Sequence, residues 1–386
     1  MLKKRIFSLG VSLALTIVVS GCGSSSSDTS PSNHVSLTLD RSTIDDTPSN
    51  PNANDDAARI LAYLADLSTN TREGVLAGQQ AGHGNQIVDD ENIMGFAQNV
   101  ERLYEATGQW PAVLGLDYGH DDWYTQEELS IGNQVLIDHW NQGGLIMLTW
   151  VPMNPWDLSQ NKYTGDVDMT ALFDPDSEVY DIWMAQVDNV ATALKELQDA
   201  GVTVLWRPMQ ELNGFWFWWG AQGTDSESVY KPVFRELYRY FTEDKQLSNL
   251  LWVYAPIGRW HVDRPVMSDY PGDDVVDIVG PTTYNNELDI PDYLDYLTFN
   301  KPLAMTELAG YHTAVEGAQG EFDNMQYVTR LPSDYPAVSF WMSWHSWYNG
   351  DGTYTHMSIV ANEHANEMMN HPDIITLEEL NWRDTP

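Results

Sequence analysis

Cysteine is almost absent from this chain of 386 residues: Cys22 stands alone, so no disulfide can close within it. Basic residues are scarce as well, with 19 Lys and Arg against 56 Asp and Glu and a formal net charge of −37. That balance argues against nucleic acid as a partner, because such binding needs a basic face. It also disfavours acidic polymers such as alginate or pectin. Self-repulsion of this size keeps a protein soluble and is best tolerated where salt screens it, which points to a saline habitat. The ten histidines are scattered, with no His-Glu-x-x-His pattern and no loop of calcium-ligand spacing. Neither a metal nor another cofactor is therefore expected.

What is present begins with a leader. Lys3, Lys4 and Arg5 precede the apolar run Ile6–Val19, the order of a secretory signal. The run is shorter than the roughly 20 residues of a membrane-spanning helix. It ends in Val19-Ser20-Gly21-Cys22, which looks like a bacterial lipobox and makes Cys22 the expected site of lipidation. Residues 1–21 are thus read as a signal peptide, and 22–54, rich in Ser, Asp, Asn and Pro, as a lipidated and disordered tether. The Asp-rich tract around Asp45, Asp46, Asp55 and Asp56 reads as solvated linker. Gly23 after the lipid site favours sorting to the outer membrane, with the folded part facing the periplasm or the surface.

From residue 55 to 386 short apolar runs alternate with amphipathic ones. The runs expected as strands are 74–78, 112–116, 145–150, 202–207, 250–254, 276–280, 303–306 and 337–341. Asp181 to Ala200 is the clearest helix, with Tyr230–Thr242 and Glu363–Met369 as others. Apolar runs without alternation imply a parallel sheet buried on both faces. Eight such units fit a (β/α)8 TIM barrel of the α/β class. A doubly wound open sheet is the rival, weakened because no Gly-rich nucleotide loop follows the first strand.

One stretch concentrates the chemistry. Glu211 sits between Arg207 and the consecutive aromatics Phe215-Trp216-Phe217-Trp218-Trp219, directly after an expected strand. That aromatic run follows neither helical nor strand alternation, and Asn213-Gly214 before it interrupts the segment like a loop. Tryptophan faces stack on pyranose rings, and a carboxyl group at a strand end can protonate a glycosidic oxygen. A second strand-end acid, Glu307, follows Lys301-Pro302-Leu303-Ala304-Met305-Thr306. Two carboxyls across a sugar ring supply a proton donor and an ionised partner. Asp117 also ends a strand, but an aspartate beside a tyrosine there reads equally well as a loop-fixing group.

The pairing of Arg207-Pro208-Met209-Gln210-Glu211-Leu212-Asn213-Gly214-Phe215-Trp216-Phe217-Trp218-Trp219-Gly220 with Lys301–Glu307 resembles glycoside hydrolase family 26, whose characterised members are mostly β-mannanases. Val75–Gln80, Pro111–Tyr118, Leu250–Pro256 and Tyr270–Gly280 look like the family's first, second, fifth and sixth strands. The resemblance implies a barrel with Glu211 as acid/base and Glu307 as nucleophile of a retaining double displacement on a neutral plant or algal polysaccharide, endo-β-1,4-mannan foremost. Retention asks for carboxyls about 5–5.5 Å apart, which one barrel mouth can supply. It implies Tyr284 as the tyrosine orienting the nucleophile and Trp216 as the aromatic near the cleaved bond. The expected substrate-binding set is Arg207, Gln210, Asn213, Trp216, Tyr284, Trp150 and Trp344, with Arg207 also keeping a carboxylate ionised. Trp123, Trp156, Trp218, Trp219, Trp260 and Trp347 divide between cleft and core. Two positions depart from the family pattern. Gln210 and Val151 stand where mannanases carry histidines, so the β-1,3-xylanases and mixed-linkage β-glucanases of the family stay open, as does a non-catalytic glycan-binding lipoprotein. The chain is expected to be a monomer.

Overall fold

Eight parallel strands close on themselves: β1 Val75–His83, β2 Val113–Gly119, β3 Leu145–Val151, β4 Val204–Pro208, β5 Leu250–Tyr254, β6 Ile278–Val279, β7 Leu303–Met305 and β8 Val338–Ser343. The structure, a computed structural model, describes residues 37–385 except 84–94, 121, 164–166, 221–228, 260 and 316. Each strand pairs with its neighbour, and β8 pairs back onto β1 with Leu76 opposite Phe340 and Gln79 opposite Ser343. This is the expected (β/α)8 barrel, and the open sheet is excluded by the β8–β1 ladder. All eight expected strands form. The leader and Cys22 lie outside the described residues, as does Trp260.

The strands lack alternation because neither face meets water: every residue of β2, β3, β4, β5 and β8 is buried. One face fills the barrel and the other packs on helices. The helix expected from Asp181 runs Glu178–Asp199, starting earlier because the Ser177 hydroxyl accepts from the Val179 amide. Its Trp183, Val187, Val190, Leu194 and Leu197 are buried. The helix Gln126–Asn141 opens with a reciprocal capping box between Thr125 and Glu128.

The tether expectation needs correction at its C-terminal end. Residues 37–54 are packed on the barrel. Leu39 and Ile44 are buried. Asp45 pairs with the buried Lys301 at 2.6 Å, and Arg41 bridges Asp46 at 2.8 Å and Asp66 at 2.7 Å. The Ser49 amide donates to Asp277 at 2.5 Å, and Asn50 donates to the Leu247 carbonyl at 3.0 Å. Asp55 and Asp56 occupy the first turn of the helix Asp55–Ser68, capped by Asn54. Polar residues that looked like solvated linker are instead caps and ion-pair partners. Leu247, Asp277 and Lys301 all precede their strands, so the segment covers the N-terminal ends of β5, β6 and β7, opposite the catalytic face of such a barrel.

A chain starting at Asp55 should therefore melt at least about 5 °C below one starting at Leu37, given the burial of two aliphatic side chains. Equal melting temperatures in scanning calorimetry would restore the tether reading for this segment.

Candidate active site

Arg207 is the centre from which the site is built. It is the last residue but one of β4, opposite Thr149 of β3, and is fully buried at the barrel mouth. Its Nη1 donates to Glu307 Oε1 at 2.5 Å and to Thr149 Oγ1 at 3.4 Å, while Nη2 donates to Thr282 Oγ1 at 2.6 Å. A buried guanidinium needs such partners, since removing its counter-charge leaves an uncompensated ion. Glu307 is itself nearly enclosed at 4 % exposure. It begins a short parallel ladder in which Glu307 lies opposite Thr282 and Ala309 opposite Tyr284. That ladder continues β6 and β7 beyond the barrel, and it aims Tyr284 at the Glu307 carboxylate and Thr282 at the guanidinium beside it. The Tyr284 hydroxyl donates to Glu307 Oε2. Burial, and then the Glu307 charge, hold the Tyr284 phenol well above its ordinary pKa, so it remains a donor.

Glu211 stands across the mouth on the loop after β4. Its backbone is left-handed (φ 57°), as is that of Met209 (φ 54°). Such a conformation is uncommon for residues with a side chain and costs on the order of 1 kcal/mol or more. Two hydrogen bonds impose it. Met209 N donates to Trp150 O at 2.9 Å, and Glu211 N donates to Ala255 O at 2.7 Å, stitching the loop to β3 and to the end of β5. The Trp216 indole donates to Glu211 Oε2 at 2.9 Å. Gly214 makes this possible: a Cβ there would sit 2.5 Å from the Trp216 ring. The Glu211 carboxyl is pushed up to about 8, first by burial and then by the Glu307 charge, against the opposing pull of Arg207 and the Trp216 indole. The two acids therefore differ in setting. One faces a guanidinium, and the other is held protonated near neutral pH.

The expected substrate-binding set divides. Trp216, half-buried beside Glu211, and Tyr284 join the carboxylates. Trp344 is largely buried in a small cluster with Ala309 and Met357, against which Tyr284 and Trp347 pack. Arg207 is corrected from a substrate ligand to a positioning group, since it is sealed beneath Glu307. Asn213 is corrected likewise: its amide exchanges hydrogen bonds with the Ile257 backbone at 2.8 and 2.7 Å, tying the β4 loop to the β5 loop. Trp150 belongs to the core, stacked on Trp183 at 5.5 Å and Trp206 at 6.2 Å. Trp218 and Trp219 are fully buried too, donating to Pro152 O and Gln210 O at 3.1 and 2.9 Å. Those indoles hold the loop in shape. Gln210 is buried with its Oε1 unpartnered. Asp117 accepts from Gln80 at 3.0 Å and pairs with His120 at 3.2 Å, the loop-fixing role. Thr149, Thr282 and Gly214 were missed; a threonine opposite Arg207 in a neighbouring strand was the available signal. No group of three metal-ligating side chains occurs among the described residues.

The Trp216 indole 15N resonance should titrate with a midpoint near 8, and in Glu307→Gln that midpoint should fall, because a negative neighbour is gone and Arg207 is unpaired; an unmoved midpoint contradicts the coupling. The folded form holds this proton where the unfolded chain, near 4.5, releases it, so this group's contribution to stability is full below about 4.5 and is lost as pH rises through 8. Arg207→Leu should cost about 3–5 kcal/mol in denaturant unfolding by stranding Glu307, whereas a cost below about 1 kcal/mol would show the pair to be dispensable.

A family model described as glycosyl hydrolase family 26 matches residues 49–379. The mannan endo-1,4-beta-mannosidase of Bacillus subtilis is 33% identical over 313 residues, covering 77% of this chain and 82% of its own. The mannan endo-1,4-beta-mannosidase A and B of Caldalkalibacillus mannanilyticus is also 33% identical, over 319 residues, covering 77% of this chain but 57% of the longer relative. Among solved structures, the Bacillus subtilis mannanase BCman superposes with a TM-score of 0.72 at 27% identity, covering 86% of this chain and 95% of that one.

Proposed function

The chain belongs to glycosyl hydrolase family 26, and from that premise we propose that it is a retaining endo-β-1,4-mannanase in which Glu307 is the nucleophile and Glu211 the acid/base. The observation that carries the reading is the contrast between the acids: Glu307 faces Arg207 and Tyr284, while burial and the Glu307 charge push the Glu211 carboxyl up. Relatives named as mannan endo-1,4-beta-mannosidases support the choice of substrate.

In the first step a Glu307 oxygen attacks the anomeric carbon, the glycosidic C–O bond breaks, and Glu211 gives its proton to the departing oxygen. Trp216 occupies Glu211 Oε2, which leaves Oε1 to hold that proton. Once Glu307 is esterified its charge is gone. The second-largest cause of the raised Glu211 pKa disappears with it, and Glu211 becomes a competent base. It then takes a proton from water, the water oxygen attacks the anomeric carbon, and the Glu307 ester bond breaks. Tyr284 donates to Glu307 Oε2 throughout, and Arg207 fixes Oε1, so the attacking carboxylate has little freedom to turn away.

The leader carries the remainder of the proposal. The lipobox-like Val19-Ser20-Gly21-Cys22 supports a lipid anchor at Cys22, and Gly23 after it an outer-membrane address. The enzyme acts as a single copy.

Glu307→Ala should lose at least about 10⁴-fold in turnover of mannan with its circular dichroism unchanged. Glu211→Ala should lose far more on mannan than on an aryl mannobioside, whose leaving group needs no proton. Equal losses on both substrates would refute the acid role. Gln210 and Val151, in place of the family's histidines, make β-1,3-xylan and mixed-linkage glucan the controls; faster release of reducing ends from either than from mannan would overturn the substrate.

A further inference from the structure

A cavity of about 550 Å³ opens apart from the carboxylate pair, walled by elements that follow β1, β7 and β8. Gln98 and Arg102 come from the turn and helix after β1, Gln319 from the segment after β7, and Ser346, Tyr354 and His356 from the hairpin after β8. None of Arg207, Glu211, Tyr284 or Glu307 lines it.

His356 is the informative residue. It is 4 % exposed, yet neither ring nitrogen has a hydrogen-bond partner. Buried polar groups in native proteins are nearly always paired, so an enclosed imidazole left unpaired in the wall of a cavity calls for a ligand. Its ring is fixed by stacking, with Tyr354 at 5.0 Å and His312 at 6.2 Å. Antiparallel pairing places His312 directly opposite it. Burial, and then His312, hold the imidazole below its ordinary pKa, so at neutral pH it offers one donor and one acceptor. A sugar hydroxyl both donates and accepts, which matches that pair.

The remaining walls fit the same chemistry. Arg102 is exposed and makes no ion pair among the described residues of a chain with 56 acidic residues. A guanidinium fork can span two neighbouring hydroxyls. Gln319 spends its Nε2 on the Asn362 carbonyl at 3.1 Å, leaving Oε1 to accept. The Ser346 and Ser358 hydroxyls bond each other at 2.8 Å and form a closed floor. A single cation in a protein of net charge −37 gives an anionic ligand no advantage. The volume falls in the range of small-molecule sites.

We propose that this cavity is a second saccharide-binding site, taking a neutral hexopyranose unit of the same polysaccharide that the carboxylate pair cleaves. The inference rests on the proposed mannanase reading for the identity of that polysaccharide. A second hold on the polymer would raise its local concentration at the cleft by linking two binding events.

The test uses the full chain carrying Glu307→Ala, so that the polymer survives, in native gels containing unbranched mannan or galactomannan. Adding Gln98→Ala with Arg102→Ala, both at the cavity rim, should remove most of the retardation. In the active background the same pair should raise the ratio of the polymer KM to the aryl mannobioside KM about three- to tenfold, the effect of one or two lost hydrogen bonds. Loss in both gels assigns the backbone of the polymer, and loss with galactomannan alone assigns its galactosyl branch; either supports the site. Undiminished retardation together with an unchanged KM ratio overturns it, while the mannanase reading stands as long as the parent enzyme cleaves mannan. Failure of the parent to cleave any mannan would instead strike the underlying reading.

Discussion

Arg207 and Glu307 meet inside the barrel mouth with almost no water around either, and most of what surrounds them exists to make that tolerable. A buried ion pair is costly to assemble and more costly to break by halves. Its partners are Thr149 from β3, Thr282 from the ladder beyond β6 and the Tyr284 hydroxyl, and only Arg207 Nε is left unpaired. These donors and acceptors come from widely separated parts of the chain, so the pair can form only when the cylinder has closed. The barrel supplies the convergence, and the pair uses it.

The second acid depends on the first. Glu211 is kept protonated by burial and by the Glu307 charge, so the two proposed roles are set by one electrostatic arrangement. Their geometry is held by backbone that a free loop would not adopt. The left-handed Met209 and Glu211 persist because β3 and the end of β5 take their amides. The aromatic run after Glu211 works in the same direction. Only Trp216 reaches an acid of the pair; Trp218 and Trp219 brace the loop, and Phe217 stacks on Trp219 at 4.4 Å.

Much of this was legible in the sequence. The eight apolar runs gave away the barrel because strands buried on both faces have no alternation to obscure them. Glu211 and Glu307 stand out because each follows such a run in a distinctive context, and the structure brings both to the barrel mouth. Depth was not legible. Trp150 and Trp216 read alike in a string of letters, yet one is sealed between Trp183 and Trp206 and the other borders the cleft. Arg207 and Asn213 were expected to touch substrate and are instead buried, one bonded to Glu307 and the other to the Ile257 backbone. The misreading of residues 37–54 has a related origin: Ser, Asp and Asn compose flexible linkers, but they also compose caps, and only the partners Lys301, Asp277 and Leu247 tell the two apart.

The claim at the centre is that one carboxyl of the pair is ionised against a guanidinium while the other carries a proton. Neutron diffraction from deuterium-exchanged crystals grown near pH 6.5 reads this directly. The account predicts deuterium density on Glu211 and none on either oxygen of Glu307. Deuterium on Glu307, or its absence from Glu211, would contradict it.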